Sequence, residues 1–406
     1  MAYRFLKGTR IVEWGEAITA PFCGKVLADL GAEVIKIECL PNGDPGRGLP
    51  PFAGDVPGDD RSLLFAHLNA EKRGVAIDVR TKAGRDLLHG LLGKVDAFIE
   101  DRPLREKESL GLTYAALRRS HPSLVVTTVT PYGSNGPYRN DNGYPSVSFH
   151  MSGAGWVTPP EVESVNEPPL SLPGRPAAMA AGLCAASGTQ MALFARQYDG
   201  EGRHVDVSEV ESIVPMMATP INRVAFDGRE ARREERVHGI APFDFYPVKD
   251  GWVSIFLVQE AHWQRFVKLM GDPEWAKVAP FNGDRRQRAQ YKEDLNDLML
   301  PWLMQQEKED LYIKCQALDI PVGPSRSMTE VLADPQFAAR ESWRKSSHPA
   351  FGAMTYLRPP YLTSREPWAT PQPSPRLGQH TREVLGSVLG LSRTKLAALA
   401  TAGVTR

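Results

Sequence analysis

The sequence predicts an α/β protein with a large Rossmann-like domain, built on a mostly parallel sheet, and a smaller α+β domain. Two observations favour this fold class. Over the first 130 residues, short β-prone runs alternate with stretches of helical periodicity. Strands that are separated by helices pair in parallel through right-handed crossovers. The length of 406 residues exceeds what one small core needs and therefore predicts a second domain.

Five short apolar runs are the predicted strands of the parallel sheet. They comprise residues 10–14, 32–38, 74–79, 96–101 and 123–133. Between the first two, Val26, Leu27 and Leu30 follow helical spacing up to Gly31, which predicts a helix that ends at this glycine. The turn GEAITAP after the first run lacks the GxGxxG pattern, so a dinucleotide site is not predicted.

The second half of the chain predicts the smaller domain. Residues 134–176 are rich in Gly, Pro, Ser and Asn and are predicted to form a long connector, which leads into a helix over residues 177–196. Strand-like runs on both sides of Asp250-Gly251 predict a β-hairpin, and two helical stretches follow it. These segments predict an α+β domain over residues 225–330.

Charge and cysteine content exclude several classes of protein. Because 48 Lys and Arg balance 48 Asp and Glu, the chain lacks the net positive charge expected of a nucleic-acid binder. Its 4 cysteines are widely spaced and form no CxxC pair, so neither a zinc site nor another metal site is predicted. With no signal-peptide pattern and no apolar run of roughly 18–20 residues, a reduced, cytoplasmic protein without a membrane partner is predicted.

Several segments resemble the class III CoA-transferases, in the order in which that family has them. The clearest are VLADLGAEVIKIE (26–38), LNAEKRGVAIDV (68–79), EGRHVDVSEVES (201–212) and SPRLGQHTREVLGSVLGLS (374–392). The resemblance covers nearly the whole chain. It implies a large domain formed by residues 1–200 and 331–406, a smaller domain between them at 225–330, and a dimer whose two chains interlock as rings.

The resemblance also implies covalent catalysis by an aspartate. In such transferases a carboxylate attacks the acyl-CoA thioester, becomes a mixed anhydride and then a CoA thioester, and passes CoA to an acceptor acid. The aspartate lies four residues before a glycine that matches Gly182 here, and the residue at that position is Ala178. Tyr144 stands where the related racemases carry a catalytic histidine. No catalytic residue is therefore predicted in this chain.

A coenzyme A thioester is the one cosubstrate that the resemblance implies, with no covalently bound cofactor. Its predicted contacts are Lys72 and Arg73, before the third strand, and Ala17 and Ile18, after the first. Cys39 stands where many members carry an arginine that meets the nucleotide phosphates.

The missing aspartate leads to the first functional prediction, a non-catalytic subunit of a heteromeric CoA-transferase. Its partner would be a paralogous, aspartate-bearing subunit in a heterodimer or an α2β2 heterotetramer. The heteromeric member that this chain resembles moves CoA from succinyl-CoA to benzylsuccinate in anaerobic toluene degradation.

Two alternatives stay open. A homodimeric acyl-CoA lyase, isomerase or racemase-like enzyme would use another base, for which His150, Asp141 and Glu16 are candidates. A structural homologue would bind no substrate. The sequence does not identify the acid that accepts CoA.

Overall fold

The structure is a computed structural model that describes residues 5–162, 164–235, 239–365, 367–368 and 370–406. Its strands are β1 (Arg10–Trp14), β2 (Glu33–Glu38), β3 (Arg73–Ala76), β4 (Ala97–Glu100), β5 (Val125–Thr130), β6 (Glu161–Val162), β7 (His204–Ser208), β8 (Glu234–Glu235), β9 (Phe243–Val248), β10 (Gly251–Phe256), β11 (Val322–Ser325), β12 (Trp343–His348) and β13 (Gly352–Leu357).

Its helices are α1 (Thr19–Asp29), α2 (Leu63–Leu68), α3 (Lys82–Leu92), α4 (Leu104–Leu110), α5 (Tyr114–Ser120), α6 (Pro145–Met151), α7 (Pro176–Asp199), α8 (Glu209–Ile213), α9 (Ala218–Asp227), α10 (Glu260–Leu269), α11 (Arg285–Ala289), α12 (Lys292–Leu303), α13 (Lys308–Ala317), α14 (Met328–Ala333), α15 (Pro335–Ala339), α16 (Thr381–Leu389) and α17 (Arg393–Thr401). Short 3-10 helices occur at Pro45–Gly48, Ala53–Asp55, Gly155–Val157, Val214–Met217 and Glu274–Lys277.

A six-stranded parallel sheet in the order β3-β2-β1-β4-β5-β7 confirms the predicted fold class. Val12 of β1 pairs with Ile35 of β2 on one side and with Phe98 of β4 on the other. Chain order therefore reverses between β1 and β4, because β2 and β3 lie to one side and β5 and β7 to the other. All five runs predicted as strands belong to this sheet.

The third strand is shorter than predicted, since β3 ends at Ala76. Beyond it, the backbone N–H of Asp78 donates to the carbonyl of Val404 at 2.9 Å, and Ile77 forms an isolated bridge with Thr405. The N–H of Ala76 itself donates to Thr381 Oγ1 at 3.0 Å. The C-terminal segment thus covers the edge of the sheet and satisfies its exposed backbone groups.

Successive residues of β1 point into two different cores. Ile11 packs in the cluster formed with α1 and α7, whereas Val12 packs in the cluster that contains leucines of α3, α16 and α17. The long helix α7 approaches α1 closely because small residues line the contact. A Cβ atom at Gly182 would lie 2.7 Å from the carbonyl oxygen of Thr19, so only glycine fits there.

Residues 134–176 differ from the predicted connector because they contain regular structure. Helix α6 begins with Pro145 at its first position, and strand β6 follows it. Phe149 of α6 is buried in one cluster with Ala177 and Ile213. A composition typical of loops therefore concealed a helix that packs against α7.

The chain divides into two compact units. The larger unit comprises the chain up to Pro159, then Pro168–Arg233 and Arg340–Arg406; the smaller unit comprises Pro160–Glu167 and Glu234–Ala339. The predicted domains, 1–200, 225–330 and 331–406, have other bounds than these two compact units. The division into domains at those bounds stays a prediction.

The smaller unit contains the predicted hairpin. Strands β9 and β10 pair in antiparallel fashion, with Val248 opposite Gly251, and β11 joins β10 on its other side. The sheet packs on a core that includes Trp263 of α10 and Leu295 of α12. Elsewhere, β12 pairs with β13 in the larger unit and β6 pairs with β8 in the smaller unit.

One described helix, α7, is long and apolar enough to cross a membrane by length and composition alone. Half of its most apolar window is buried inside the protein. Its buried residues contact α1 and the strands β5 and β7, which is the environment of a helix in the core of an α/β domain.

Candidate functional site

The reversal of strand order between β1 and β4 defines a crevice at the carboxyl ends of these strands. In open α/β sheets, ligands bind at this point. The loop after β1 contains Ala17 and Ile18, which were predicted to contact coenzyme A, and the loop after β4 contains Asp101 and Arg102. The structure therefore brings two of the predicted residues to the expected place, although their contact with coenzyme A stays a prediction.

The loop after β1 has an unusual backbone that its neighbours hold in place. Ala17 has a φ of 58°, in the left-handed region that side-chain-bearing residues seldom adopt. Its N–H donates to Asp44 Oδ1 at 2.8 Å. The N–H groups of Glu16 and Ala20 donate to the carboxylate of Asp101 at 3.0 and 3.2 Å. Three hydrogen bonds to buried or half-buried acids thus fix this loop.

Glu16, one of the candidate bases, forms an ion pair with Arg102. Arg102 also pairs with Glu106 at 2.8 Å and lies 5.6 Å from the centre of the Trp14 ring. Burial alone would lower the pKa of Arg102, but the hydrogen bond and charge of Glu16 outweigh it and raise that pKa. The carboxylate of Glu16 therefore faces a permanent positive charge.

Asp101 is an acidic group of the crevice whose protonation is altered by burial. Burial raises its pKa to about 8, against the N–H groups of Glu16 and Ala20 and the charge of Arg102. At neutral pH most of this carboxyl group is consequently protonated and neutral. A neutral acid does not repel a phosphate in the way that a carboxylate would.

A cavity of about 260 Å³ opens beside Asp101 at the carboxyl ends of β4 and β5. It is lined by residues 101–105, 130–131 and 139–143. Arg102, Arg105 and Arg139 are among these residues. The guanidinium of Arg102 is already paired with Glu16 and Glu106, so Arg105 and Arg139 are the arginines that suit an anionic ligand. The sequence analysis missed Arg105 and Arg139. Each is a basic residue in the segment that follows a predicted strand of the parallel sheet, and this position could have indicated them.

Lys72 requires a correction, because its ammonium group is buried and fully engaged. It forms an ion pair with Glu13 Oε2 at 2.6 Å and donates to the carbonyl of Pro21 at 2.7 Å and to Asn69 Oδ1 at 2.9 Å. An ammonium group has three donors, so none is left for a phosphate. Burial lowers its pKa to about 8. We assign Lys72 to the core of the larger unit instead.

Arg73 lies one residue further on and is half-buried. Its guanidinium forms ion pairs with Glu33, on the neighbouring strand, and with Glu383 of α16 at 2.9 Å. Two carboxylates already share this guanidinium, and its contact with coenzyme A stays a prediction.

Ala178, at the position that the resemblance assigns to the nucleophile, is the third residue of α7. It is completely buried in a cluster with Ile18 and Leu68. The first turn of α7 contains no acidic residue. The local chemistry at this position is therefore apolar packing.

His150 and Asp141 do not form the base pair that one alternative requires. The ring nitrogen Nε2 of His150 lies 2.8 Å from Ser171 Oγ at the surface, whereas Asp141 lies in the exposed loop that lines the cavity. Both belong to the described part of the chain, and no hydrogen bond joins them. Tyr144 is 68% exposed and precedes α6.

Glu209 is a buried carboxylate that the sequence analysis missed. It begins α8, directly after β7, and is 6% exposed. Its two oxygens accept hydrogen bonds from Thr19 Oγ1 at 2.6 Å and from Ser148 Oγ at 2.8 Å. Thr19 is adjacent to Ile18, which packs in one cluster with Ala178 of α7. Ser148 is adjacent to Phe149, which packs in one cluster with Ala177 of α7. Glu209 therefore lies near the beginning of α7.

No group of three or more His, Cys, Asp or Glu side chains in the described ranges has the arrangement of a metal site. A cavity of about 700 Å³ lies in the smaller unit and is lined by residues of both charges, among them Asp244, Arg286 and Glu293. The crevice at β1 and β4 is therefore the site that fold and chemistry both favour.

Comparison with known proteins identifies the family. The sequence model of CoA-transferase family III matches residues 6–381, and the chain belongs to this family. It is 31% identical over 400 residues to the succinyl-CoA–D-citramalate CoA-transferase of Chloroflexus aurantiacus, covering 98% of this chain and 97% of the relative. It is 30% identical over 378 residues to subunit BbsE of the succinyl-CoA:(R)-benzylsuccinate CoA-transferase of Thauera aromatica, covering 90% of each.

A solved structure shows the same fold. The crystal structure of a CaiB/BaiF family protein from Brucella suis has a TM-score of 0.84 at 28% identity and covers 94% of this chain and 99% of its own. The predicted family is confirmed, and with it the family's chemistry, the transfer of CoA between an acyl-CoA and an acid. The predicted cosubstrate, a CoA thioester, is likewise confirmed.

Proposed function

We propose that this chain is the non-catalytic subunit of a heteromeric class III CoA-transferase and completes the fold and the active-site wall of an aspartate-bearing partner. The observation that carries the proposal is Ala178, buried against Ile18 and Leu68 in the first turn of α7. A methyl group can form neither an anhydride nor a thioester, so in this proposal the partner chain carries the acyl group.

The electrostatics of α7 support the same conclusion. The beginning of a helix carries a partial positive charge that stabilises a carboxylate, and a 24-residue helix provides it in full. No acid in the first turn of α7 uses this stabilisation, and Ala177 and Ala178 are both buried among apolar side chains.

The surface of α7 supports an association with a second chain. Leu183, Met191, Phe194 and Tyr198 are each more than half exposed and lie on one side of the helix. Contiguous exposed apolar side chains are typical of protein interaction surfaces. We infer that a paralogous, aspartate-bearing subunit covers this side, in a heterodimer or an α2β2 heterotetramer of interlocked rings.

The proposed donor is succinyl-CoA, and the proposed acceptor is a dicarboxylic acid such as benzylsuccinate. The names of both relatives given above contain succinyl-CoA and a dicarboxylic acid. The cavity beside Asp101 offers Arg105 and Arg139 to the phosphates of coenzyme A. We propose the cytoplasm as the site of action, where acyl-CoA substrates are found.

A second candidate function keeps catalysis in this chain, and Glu209 is the observation that favours it. Its buried carboxylate lies near the beginning of α7 and is held by the hydroxyl groups of Thr19 and Ser148. A carboxylate in that place has the chemistry of an acyl carrier or a general base. The protein would then be a homodimeric acyl-CoA enzyme with Glu209 in place of the missing aspartate.

Reconstitution distinguishes the two functions. The chain is purified alone, the aspartate-bearing paralogue is purified alone, and transfer from succinyl-CoA to benzylsuccinate is measured while the two are mixed at increasing ratio. The proposal predicts that this chain alone is inactive and that activity saturates at equimolar mixing. Activity of this chain alone, abolished by Glu209→Gln, would overturn the proposal in favour of the second function.

A further inference from the structure

A buried network of charges lies beneath the loop that follows β1. Lys36 of β2 forms ion pairs with Asp44 Oδ2 at 2.8 Å and with Glu13 Oε1 at 3.1 Å. Glu13 in turn pairs with Lys72. The side chains of Lys36 and Asp44 are at most 1% exposed, so both charges are fully removed from water.

Stability alone does not account for such a pair. Replacing a buried ion pair by apolar side chains of similar size is often neutral or stabilising, because two ions have lost their hydration. Burial would raise the pKa of Asp44, but the charge of Lys36 outweighs it, together with N–H groups of Ala17 and Gly46, and lowers that pKa. The pair is thus held in its charged form by its neighbours.

Lys36 and Asp44 also form hydrogen bonds to the backbone of the loop after β1. Lys36 Nζ donates to the carbonyl oxygen of Gly15 at 3.0 Å. Asp44 Oδ1 accepts from the N–H of Ala17 at 2.8 Å and from that of Gly46 at 2.7 Å. The pair therefore contacts the loop on both sides of Glu16, at the residue that precedes it and at the left-handed residue that follows it.

The position of this loop determines two contacts of the crevice. Glu16 reaches Arg102, which lines the cavity at the carboxyl end of β4. Ile18 reaches Ala178 at the beginning of α7. If Ala17 relaxed to an ordinary backbone conformation, both side chains would be displaced.

We infer that Lys36 and Asp44 are positioning residues, which hold residues 15–18 in the conformation in which the crevice binds a CoA thioester. The inference rests on the proposed function in one respect, since it takes the crevice at β1 and β4 as the place where this chain meets coenzyme A. It does not depend on which subunit carries the acyl group.

Asp44→Ala tests the inference in the full-length chain. The variant loses the acceptor of the Ala17 N–H. Amide hydrogen exchange at Ala17 is expected to become at least about tenfold faster, since a hydrogen bond to a charged group is worth about 1.4 kcal/mol or more. The Kd for coenzyme A, measured by calorimetry, is expected to rise about tenfold for the same reason.

Asp29→Ala is the matched control, because Asp29 forms another buried ion pair, with Lys25 of the same helix α1. Its side chain is 9% exposed, and its partner does not contact residues 15–18. This variant is expected to lower the melting temperature while leaving the Kd for coenzyme A within about twofold of the wild type.

Asp44→Asn keeps the test decisive if Asp44→Ala does not fold. Its amide oxygen still accepts from Ala17 but lacks the charge that pairs with Lys36, so its Kd is expected to rise above that of the wild type and of Asp29→Ala. Equal weakening of coenzyme A binding by Asp29→Ala and either Asp44 variant would overturn the inference, as would a Kd of Asp44→Asn equal to that of the wild type. Activity of this chain alone would overturn the proposed function and leave the inference intact.

Discussion

Ile18 and Ala178 belong to one buried apolar cluster, which joins the loop after β1 to the first turn of α7. Ile18 is 3% exposed and Ala178 is 0% exposed. The position that the resemblance assigns to the nucleophile is therefore part of the apolar packing of this chain. Restoring catalysis would require a change in this packing as well as a carboxylate.

Ala178→Asp is expected to give a folded but destabilised and inactive chain. A carboxyl group buried beside Ile18 and Leu68 lacks a polar partner there, which costs about 1–3 kcal/mol. The partial charge of the helix terminus offsets part of this cost. Thermal unfolding should show a lower melting temperature, and incubation with succinyl-CoA followed by hydroxylamine should yield no hydroxamate bound to the protein. Ala178→Asn is the control that lacks a nucleophile; hydroxamate formed by the aspartate variant alone would contradict the prediction.

Gly24→Ala is expected to destabilise the larger unit strongly. A Cβ atom at Gly24 would lie 1.9 Å from Glu13 Oε2 and 3.2 Å from Lys72 Nζ. The methyl group would therefore separate a buried ion pair, a change that typically costs about 3–5 kcal/mol. Chemical denaturation measures the loss in the free energy of unfolding.

The control for this prediction is Gly386→Ala in α16, where the nearest atom to a Cβ is 3.8 Å away. Alanine favours a helix over glycine by about 1 kcal/mol, so this variant should be neutral or slightly more stable than the wild type. If both variants had the same free energy of unfolding as the wild type, Gly24 would not be needed for the Glu13–Lys72 pair.

Asp101→Asn is expected to change how stability depends on pH. Burial raises the pKa of Asp101 to about 8 from an ordinary value of 3.8. The folded state therefore binds its proton more tightly than the unfolded state, and this contribution to stability is lost as pH rises through about 8. Asparagine has no such proton. The melting temperature of the wild type should therefore fall relative to that of the variant as pH rises from 5 to 9, a range that ends about one pH unit above the raised pKa.

Lys72 has the opposite effect on the pH dependence of stability, and this effect is the same in the wild type and in Asp101→Asn. Its pKa is lowered to about 8 from 10.5, so the unfolded state binds its proton more tightly and stability rises with pH above about 8. Only the difference between wild type and Asp101→Asn isolates the carboxyl group. A difference that stays constant across this range would show that Asp101 is ionised throughout.

Arg139→Ala is expected to weaken the binding of coenzyme A in a salt-dependent manner. Arg139 lines the cavity beside Asp101, and loss of one charge-assisted hydrogen bond to a phosphate raises Kd by about tenfold or more. The effect should shrink as salt increases. Arg393→Ala is the control, because Arg393 lines a different cavity near α16 and α17. Equal Kd values for both variants would exclude the cavity beside Asp101 as the phosphate site.

The sequence predicted five of the six strands of the parallel sheet, because each of these five is a local apolar run between helical stretches. The family resemblance named Ala17 and Ile18, which lie in the loop after the first strand, and their contact with coenzyme A stays a prediction. The strands follow from short segments in which hydrophobic residues recur with a regular period.

Lys72 shows why other parts of the site could not be predicted. In LNAEKRGVAIDV it has the pattern of a charged turn before a strand, and only its pairing with Glu13 and Asn69 makes burial possible. Glu13 itself lies in a strand that reads as apolar. Contacts between distant segments leave no periodic signal, and α6 was missed because its helix is short and rich in residues typical of loops.

The measurement that tests the central claim most directly is the location of the covalent intermediate in the reconstituted complex. The complex is incubated with succinyl-CoA, the thioester is reduced with borohydride, and peptides of both chains are analysed by mass spectrometry. The account predicts a modified aspartate in the partner, at the position that matches Ala178, and no modified acid in this chain. A modified Glu209, or any other modified carboxylate of this chain, would contradict it.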